Sequence, residues 1–363
     1  MDSGAVDFIV KGSGEPFYRL TNADGKEWLM PMRNMRVAMN LYQPSGRNGK
    51  LLKSLFPVLH RIPFVRKVVG ASMEHCQLNE SLKEMLSRQF HENELEFAVF
   101  YGTPCVHQKI TVQVSRRHRI LGYFKLSDSP EIGELFRHEA HCLEVLHCHG
   151  VTDIPQCLYY GKLNESTHVF VQNTVKSPQS KVVHHWTPMH DAFVATLHQQ
   201  TQKTVLFEHS DYYRTLTALR EHTDWLPKGM DVGPIVAAMN GIMAMWKGKE
   251  VNFTAYHGDF TPWNMFVESG RLFVFDWEYA QLSYPPHLDR YHFFTQTAIF
   301  ERRWTAKEIA DCLKTDACRW VDADSYKLYL VDVISRFTVR ERGKESGMTH
   351  CIKVWGDVLK KLL

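Results

Sequence analysis

The sequence predicts an α+β protein with a β-rich part, a mainly helical part after it, and an N-terminal extension in front. Between about residues 95 and 175, LEFAVFYG, KITVQV and RILGYFKL have β-type composition at hairpin spacing. After Val175 the segments are mostly helical, as in HDAFVATLHQQ and PIVAAMNGIMAMWKG. The 363 residues, 44% hydrophobic and 23% charged, are enough for two or three globular domains.

The elements are expected in a simple order. FYRL and KEWLM predict two short strands joined by a turn at Gly25, and NESLKEMLSRQF predicts a helix. Three strands then precede the helical segment EIGELFRHEAHCLEVLHCHG, and QCLYYG and THVFVQNTV predict two more strands. We therefore expect an extension at residues 1–90, a β-rich lobe at 91–175 and a helical lobe at 176–363. KSPQSK is the candidate linker.

Charge is distributed unevenly along the chain. The formal charge of +3 implies no global attraction to nucleic acid. Between Glu27 and Glu74, however, there are eight basic residues and no acidic one. Within that stretch, residues 49–70 interleave basic and apolar residues at helical spacing, and Pro57 and Pro63 are expected to kink or divide the helix. One interpretation is that this segment packs on the rest of the protein. The other is that it lies on an anionic membrane or holds an acidic, lipid-linked acceptor near the active site.

The cellular setting is predicted from what the sequence does not contain. The eight cysteines have no CxxC pairs or regular spacing, which is unlike a disulfide framework. We see neither a signal-peptide pattern nor an apolar run of the length that crosses a bilayer. We therefore expect a cytoplasmic protein, with peripheral contact at the inner membrane face if residues 49–70 bind lipid.

The motif HGDFTPWN at residues 257–264 lies between apolar segments, and RLFVFDWEYA follows it. Phosphoryl transfer needs a carboxylate base, oxygen ligands for a divalent metal and a cation near the nucleotide phosphates. Asp259 is the candidate base, and Asn264 and Asp276 are candidate metal ligands, joined by a predicted β-hairpin. The alternative is a turn in which Asp259 and Asn264 only cap the local backbone.

These two motifs closely resemble those of the aminoglycoside phosphotransferase and choline kinase superfamily, which is related to protein kinases. The resemblance covers about residues 95–300 and implies a two-lobed, protein-kinase-like fold that uses ATP and Mg²⁺. It assigns Lys125 to the nucleotide phosphates, Glu139 to an ion pair with that lysine, and Asp289 to bracing the catalytic loop. It also implies that the loop at Gly102 and Thr103 covers the nucleotide, and that backbone groups from Gln172 to Thr174 receive the adenine. His257 belongs to the catalytic motif and is expected to hold its loop.

The helix that contains Glu139 supports the ion pair independently. Leu135, Glu139, Leu143 and Leu146 fall on one helical stripe. A carboxylate in an otherwise apolar stripe requires a cationic partner, and Lys125 is the candidate. The same helix has several histidines and cysteines from His138 to His149, but no second pair has zinc-like spacing, so surface and packing roles are expected.

Several departures from protein kinases indicate a small acceptor. Thr261 stands where protein kinases usually carry a lysine, and only a dozen residues separate Asp276 from Asp289, too few for a long segment that docks a polypeptide. Trp263, Trp277 and Glu278 flank the motifs and could line an acceptor pocket or simply pack and bond locally.

The sequence therefore predicts an ATP- and Mg²⁺-dependent phosphotransferase. Its acceptor would be a hydroxyl of a sugar, a glycan precursor, an amino alcohol or an aminoglycoside. Two alternatives remain: a catalytically silent relative that binds nucleotide and scaffolds partners, and, less favoured, a protein kinase.

Overall fold

The computed structural model describes residues 8–22, 24–44, 47–102 and 108–363. The chain divides into two compact units. The first comprises Met1–Cys148, Thr152–Val182 and Phe266–Glu278, and the second comprises His149–Val151, Val183–Met265 and Tyr279–Leu363. The first contains a large sheet and the second is mostly helical, so the α+β class predicted from the sequence is confirmed.

The first unit is organised around an eight-stranded sheet with the order β3-β1-β2-β4-β5-β6-β8-β7. Its neighbouring strands pair antiparallel. The strands are β1 (Ile9–Thr21), β2 (Glu27–Pro31), β3 (Ser72–Leu78), β4 (Glu96–Phe100), β5 (Ile110–Arg116), β6 (Arg119–Ser127), β7 (Cys157–Lys162) and β8 (His168–Asn173).

The N-terminal extension is part of this sheet. Strand β2 pairs with β4 through Trp28 opposite Phe100 and Leu29 opposite Val99. The first ninety residues therefore lie in the same compact unit as residues 91–175. The expected linker, residues 176–181, also belongs to this unit, where Lys181 forms a bridge with Val267.

Helices cover both faces of the sheet. They are α1 (Met35–Ala38), α2 (Arg47–Leu59), α3 (Pro63–Val68), α4 (Glu80–Phe90) and α5 (Pro130–Cys148). Alternate residues of a strand point to opposite faces. Accordingly Phe17 packs in one cluster with Leu82 and Leu86 of α4, while Tyr18 packs in another with Phe56 of α2.

The two prolines of the basic segment have different effects. Pro57 lies inside α2, whereas Pro63 occupies the first turn of α3 and so marks the start of a new helix. The segment is therefore divided at residues 60–62, as its sequence predicted.

A short hairpin follows the HGDFTPWN motif. Strand β11 (Met265–Glu268) pairs with β12 (Arg271–Val274), and the two-residue turn between them has positive φ at both Ser269 and Gly270. Such turns match the right-handed twist of a hairpin. The predicted hairpin is thus present.

The second unit is a helical assembly with one small sheet. Its helices are α6 (Pro188–Thr201), α7 (Asp211–Glu221), α8 (Gly233–Trp246), α9 (Leu288–Gln296), α10 (Ala306–Cys312), α11 (Ala323–Glu341) and α12 (Thr349–Leu362). Strands β9 (Lys203–Leu206), β10 (Glu250–Tyr256) and β13 (Gln281–Tyr284) form a sheet with β10 in the centre. Helix α11 carries much of the core, with Tyr326, Tyr329, Leu330 and Val333 fully buried. Among the described residues, no helix combines the length and apolarity that a membrane crossing requires.

Two histidines of α6 should make the stability of the protein sensitive to acid. Burial lowers the pKa of His190 to about 4, and burial together with the neighbouring His287 does the same for His198. The pKa of an unfolded histidine is about 6.5. Because the folded state disfavours protonation, the stability contributed at neutral pH should be lost as the pH falls from about 6.5 towards 4.

The measurement is the melting temperature between pH 7.5 and 4.5. We expect it to fall less steeply with pH in a His190→Gln/His198→Gln variant than in the unmodified protein. The exposed His350 offers a control, since His350→Gln should leave the slope unchanged. Parallel curves for the double variant and the parent would contradict the prediction.

Candidate active site

The HGDFTPWN loop begins where β10 ends and requires a glycine at its second position. Gly258 has φ +80, and a Cβ atom there would lie 2.4 Å from the carbonyl oxygen of Tyr279. A larger residue would both strain the backbone and collide with main-chain atoms. The loop therefore has one well-defined path from Tyr256 to Asp259.

The carboxylate of Asp259 is held by two side chains of the same unit. Asn264 Nδ2 donates to Asp259 Oδ2 over 2.7 Å and also to the Asp259 main-chain oxygen over 3.0 Å. His292 Nε2 lies 3.1 Å from Asp259 Oδ1. Because its NH₂ group is used in these bonds, Asn264 has its amide oxygen left for another partner, such as a cation.

His292 was not identified from the sequence. It is fully buried on α9, and burial lowers its pKa despite the opposing influence of Asp259. A neutral imidazole with its proton on Nε2 satisfies both of its contacts, donating to Asp259 and accepting from the Tyr329 hydroxyl, 3.4 Å from Nδ1. No motif marks it, since it lies thirty-three positions after Asp259 in the sequence.

The backbone of the loop is braced by buried groups. The amide of His257 donates to both carboxylate oxygens of Asp289 over 3.2 Å, and His257 Nδ1 accepts from the Asp259 amide over 3.1 Å. Both side chains are buried. Burial raises the pKa of Asp289 to about 7. Asp289 thus contacts the backbone of the loop, and the side chain of His257 contacts the amide of Asp259.

A second buried cluster lies beneath the end of β10. Asp332 on α11 accepts from Arg336 Nε over 2.9 Å, and the Tyr256 hydroxyl donates to Asp332 over 3.1 Å. Asp332 balances the buried Arg336, whose pKa is raised because Asp332 and its neighbours outweigh the effect of burial. The pair fixes the strand that leads into the loop.

The first unit carries the other predicted set of residues. Lys125 Nζ on β6 lies 2.8 Å from Glu139 Oε2 and 2.7 Å from Asp276 Oδ1. Glu139 is fully buried on α5 and Lys125 is 6% exposed. Burial alone would lower the pKa of Lys125, but Asp276 and Glu139 outweigh it and raise that pKa. The ion pair expected from the helical stripe is present, with Asp276 as a further partner.

Asp276 has an unusual backbone conformation. Its φ is +69, in the left-handed region that side chains with a Cβ rarely adopt. The next residue stabilises this backbone conformation, because the Trp277 amide donates to Glu139 Oε1 over 3.2 Å. Strain of this kind concentrates at functional sites, where surrounding contacts maintain it.

Lys109 and Glu278 complete the charged cluster in the first unit. Lys109 Nζ bonds to Glu278 and lies 3.6 Å from Asp276 Oδ1. The sequence did not mark Lys109, which follows the segment 103–107 outside the described residues. Glu139, Asp276 and Glu278 have ligand oxygens within 4.8 Å of one another, and among the described residues they are the group suited to a metal. Carboxylate oxygens are the donors that Mg²⁺ prefers, so this set fits it chemically.

The remaining nucleotide-binding predictions have mixed outcomes. Gly102 has φ +81, and a Cβ there would lie 2.4 Å from the Lys109 carbonyl oxygen, so a glycine is required at this position. Thr103 lies outside the described residues. Gln172 is buried in β8, opposite Tyr123. The amide of Thr174 already donates to the Leu121 carbonyl oxygen over 3.2 Å, so it cannot be the group that donates to adenine.

The structure distinguishes between the two roles, acceptor pocket or local packing and bonding, that the sequence left open for Trp263, Trp277 and Glu278. Trp277 is fully buried and its indole N–H donates to the Val274 carbonyl oxygen over 3.0 Å, so its ring offers no surface to an acceptor. Glu278 is bonded to Lys109, which is the local role considered as the alternative. Trp263 remains a candidate, because it is half-buried and meets the partly exposed Phe300 edge-on in the second unit.

The histidines and cysteines of α5 make local contacts. His138 Nε2 lies 3.5 Å from Cys142 Sγ, and His147 Nε2 lies 3.0 Å from the Pro155 carbonyl oxygen. These contacts are of the packing kind that the sequence predicted for them.

No protein-family model and no curated protein sequence matches the chain. Solved structures that are similar to it include a thermostable mutant of aminoglycoside phosphotransferase APH(4)-Ia, with 13% identity over 77% of this chain and 98% of the other and a TM-score of 0.47. A candidate fructosamine-3-kinase from Haemophilus somnus has 13% identity over 78% and 97%, with a TM-score of 0.48. Choline kinase LicA from Streptococcus pneumoniae has 16% identity over 77% and 97%, with a TM-score of 0.45. At these scores, function has to be argued from the residues of this chain.

The Lys125–Glu139 contact predicts strong energetic coupling. Replacing either residue leaves a buried charge without its partner, so the second replacement should cost less once the first is made. We expect the Lys125→Met/Glu139→Gln cycle to give a coupling of about 0.5–3 kcal/mol in the free energy of unfolding, measured by urea denaturation.

The exposed pair Arg137–Glu134 on the same helix is the matched control. The Arg137→Met/Glu134→Gln cycle should show no measurable coupling, because solvent screens the pair. Simple additivity in the buried cycle would show that Lys125 and Glu139 do not interact.

Proposed function

We propose that the protein is a phosphotransferase that moves the γ-phosphoryl group of ATP to a hydroxyl of a small molecule, with Mg²⁺ as the metal. The observation that carries the proposal is the buried contact of Lys125 with both Glu139 and Asp276. Lys125 is the cation for the nucleotide phosphates, and Glu139 holds it in place. Asp276, 25% exposed at its side chain, presents a carboxylate to the metal.

The residues of the second unit supply the acid–base chemistry. Asp259 orients the acceptor hydroxyl and takes its proton as the acceptor oxygen bonds to phosphorus and the bond to the ADP oxygen breaks. The contacts with Asn264 and His292 fix the carboxylate in one orientation. Asn264 also has an oxygen available as a metal ligand. Bound Mg²⁺ would neutralise charge on the phosphates.

A small acceptor fits this chain better than a polypeptide. Only a dozen residues lie between Asp276 and Asp289, and they include strand β13, so no long segment is available to dock a peptide. Trp263 offers an aromatic face suited to a sugar ring or an amino-alcohol cation. Sugars, glycan precursors, amino alcohols and aminoglycosides are the classes to test.

We place this reaction in the cytoplasm. Among the described residues, the cysteines form no disulfide; they are Cys76, Cys142, Cys148, Cys157, Cys312, Cys318 and Cys351. Cysteines without disulfides are typical of a reducing compartment.

The deciding experiment is a transfer screen with γ-labelled ATP and Mg²⁺ over the four acceptor classes. Label should appear in a low-molecular-weight product with at least one of them. Nucleotide binding without transfer to any acceptor would instead favour the catalytically silent, nucleotide-binding scaffold.

Asp259→Asn should remove transfer while leaving the fold and nucleotide binding intact. A positioned base typically contributes 10² to 10⁴-fold, so kcat should fall by about that factor. The check is kcat with the acceptor found in the screen, alongside the nucleotide Kd. Asp224→Asn, at a site distant in the sequence, is a control that should retain full kcat. A near-normal kcat for Asp259→Asn would exclude this residue from the mechanism.

Asp276→Ala and Asn264→Ala should change the metal dependence to different extents. Removing a carboxylate ligand should raise the Mg²⁺ concentration for half-maximal turnover strongly and lower the maximum, whereas removing an amide ligand should have a milder effect. Mg²⁺ titrations of turnover measure both. Curves that overlay the parent curve would show that neither residue serves the metal.

A further inference from the structure

An exposed apolar surface lies on α2, α3 and the turn between them. Leu51 is 59% exposed and Val58 77% exposed on α2, while Phe64 is 74% and Val68 67% exposed on α3. On α2, Leu51 and Val58 are seven residues apart and therefore lie on one side of the helix. We call the outward side of residues 50–68 the α2–α3 surface. Large side chains exposed to this extent in a single segment mark an interaction site.

These four residues are not in the apolar cluster on which α2 and α3 pack. The apolar contacts that attach α2 and α3 to the sheet come from other positions: Phe56 is 1% exposed and packs near Tyr18, and Leu52 and Val65 pack against the same cluster. Helix α2 is thus apolar on two sides, of which only one is used inside the protein.

The charges on the α2–α3 surface are uniformly positive. Lys50, Arg61 and Lys67 are exposed, and no ion pair involves them among the described residues. Lys53 and Arg66 have contacts within the protein, with the Tyr42 carbonyl oxygen and the Tyr18 hydroxyl respectively. Three of the five basic residues are therefore exposed without an ion pair, and the other two contact tyrosines of the protein.

The nearest carboxylates along the chain are bonded to an arginine that is not part of this surface. Glu27 and Glu74, which bound the acid-free stretch, both pair with Arg19, at 2.6 Å and 2.9 Å. The basic charges of the α2–α3 surface are therefore available to an external anion.

We propose that the protein binds the surface of an anionic lipid bilayer through the α2–α3 surface. Leu51, Val58, Phe64 and Val68 enter the boundary between headgroups and acyl chains, and Lys50, Arg61 and Lys67 contact the lipid phosphates. Apolar residues beside lysine and arginine on short helices are the features of interfacial helices. A second copy of the chain fits less well, because two such surfaces would bring like charges together. The proposal goes beyond phosphotransfer and does not depend on it.

The electrostatic contribution sets the size of the expected effects on vesicle binding. Each lysine or arginine at an anionic surface contributes about 1 kcal/mol, which is about fivefold in partitioning. The variant Lys50→Gln/Arg61→Gln/Lys67→Gln should therefore bind roughly a hundredfold more weakly at low salt. Binding by the unmodified protein should fade as salt rises, since the charges are screened.

The test is flotation of the full chain with vesicles of phosphatidylglycerol and phosphatidylcholine, or of phosphatidylcholine alone, at low and high salt. We expect the protein to float with the anionic vesicles at low salt and to remain below the zwitterionic ones. The apolar variant Leu51→Ser/Val58→Ser/Phe64→Ser and the basic variant should both lose binding. Circular dichroism and melting temperature verify that each variant is folded.

Matched controls change the same kinds of residue elsewhere. Tyr160→Ser/Val182→Ser/Met245→Ser alters three side chains that are 51%, 43% and 51% exposed. Lys203→Gln/Lys228→Gln/Lys249→Gln removes three exposed charges. Both controls should bind like the parent. The proposal is overturned if the parent does not float or if the two α2–α3 variants still bind. It is also overturned if light scattering shows that the apolar substitutions convert a dimer into a monomer while vesicle binding is unchanged.

Discussion

The contact of Lys125 with Glu139 and Asp276 is the interaction on which much of the first unit depends. A fully buried carboxylate is costly unless a cation and hydrogen-bond donors surround it. Glu139 has both, from Lys125 and from the amide of Trp277. One side chain therefore ties together strand β6, helix α5 and the end of the β11–β12 hairpin. Because Asp276 shares the same lysine, its strained backbone is stabilised by the same contact.

In the second unit, neutral and charged groups around the Asp259 carboxylate fix its position. Asp259 is partly exposed, and Asn264, His292 and His257 each contact its side chain or its amide. Asp289 then holds the backbone, and Asp332 with Arg336 supports the strand below. A carboxylate held in this way keeps its orientation without losing rotational entropy when a substrate arrives.

Local sequence predicted the elements and the charged pairs, but not the contacts made across long separations. The strands of the large sheet other than β3, and the β11–β12 hairpin, follow from composition and turn residues, which act over a few residues. The Lys125–Glu139 pair was expected from the family resemblance and supported by helical spacing. His292 and Lys109 have no such mark, since their contacts form only when distant segments fold together. Trp277 is a different case: the sequence left open a pocket wall and core packing, and the structure shows packing, because its ring is fully buried.

The addition of β1, β2 and β3 to the sheet also changes which backbone is left unpaired. Without them, β4 would be an edge, and its apolar sequence EFAVF would present open N–H and C=O groups to other chains. In the complete sheet that edge is β3, where Glu74, His75 and Gln77 interrupt the apolar residues. Polar and charged side chains on an edge discourage strand addition between molecules. The N-terminal ninety residues thus cover a strand edge that would favour aggregation, and a shortened chain that begins near residue 91 would expose that edge.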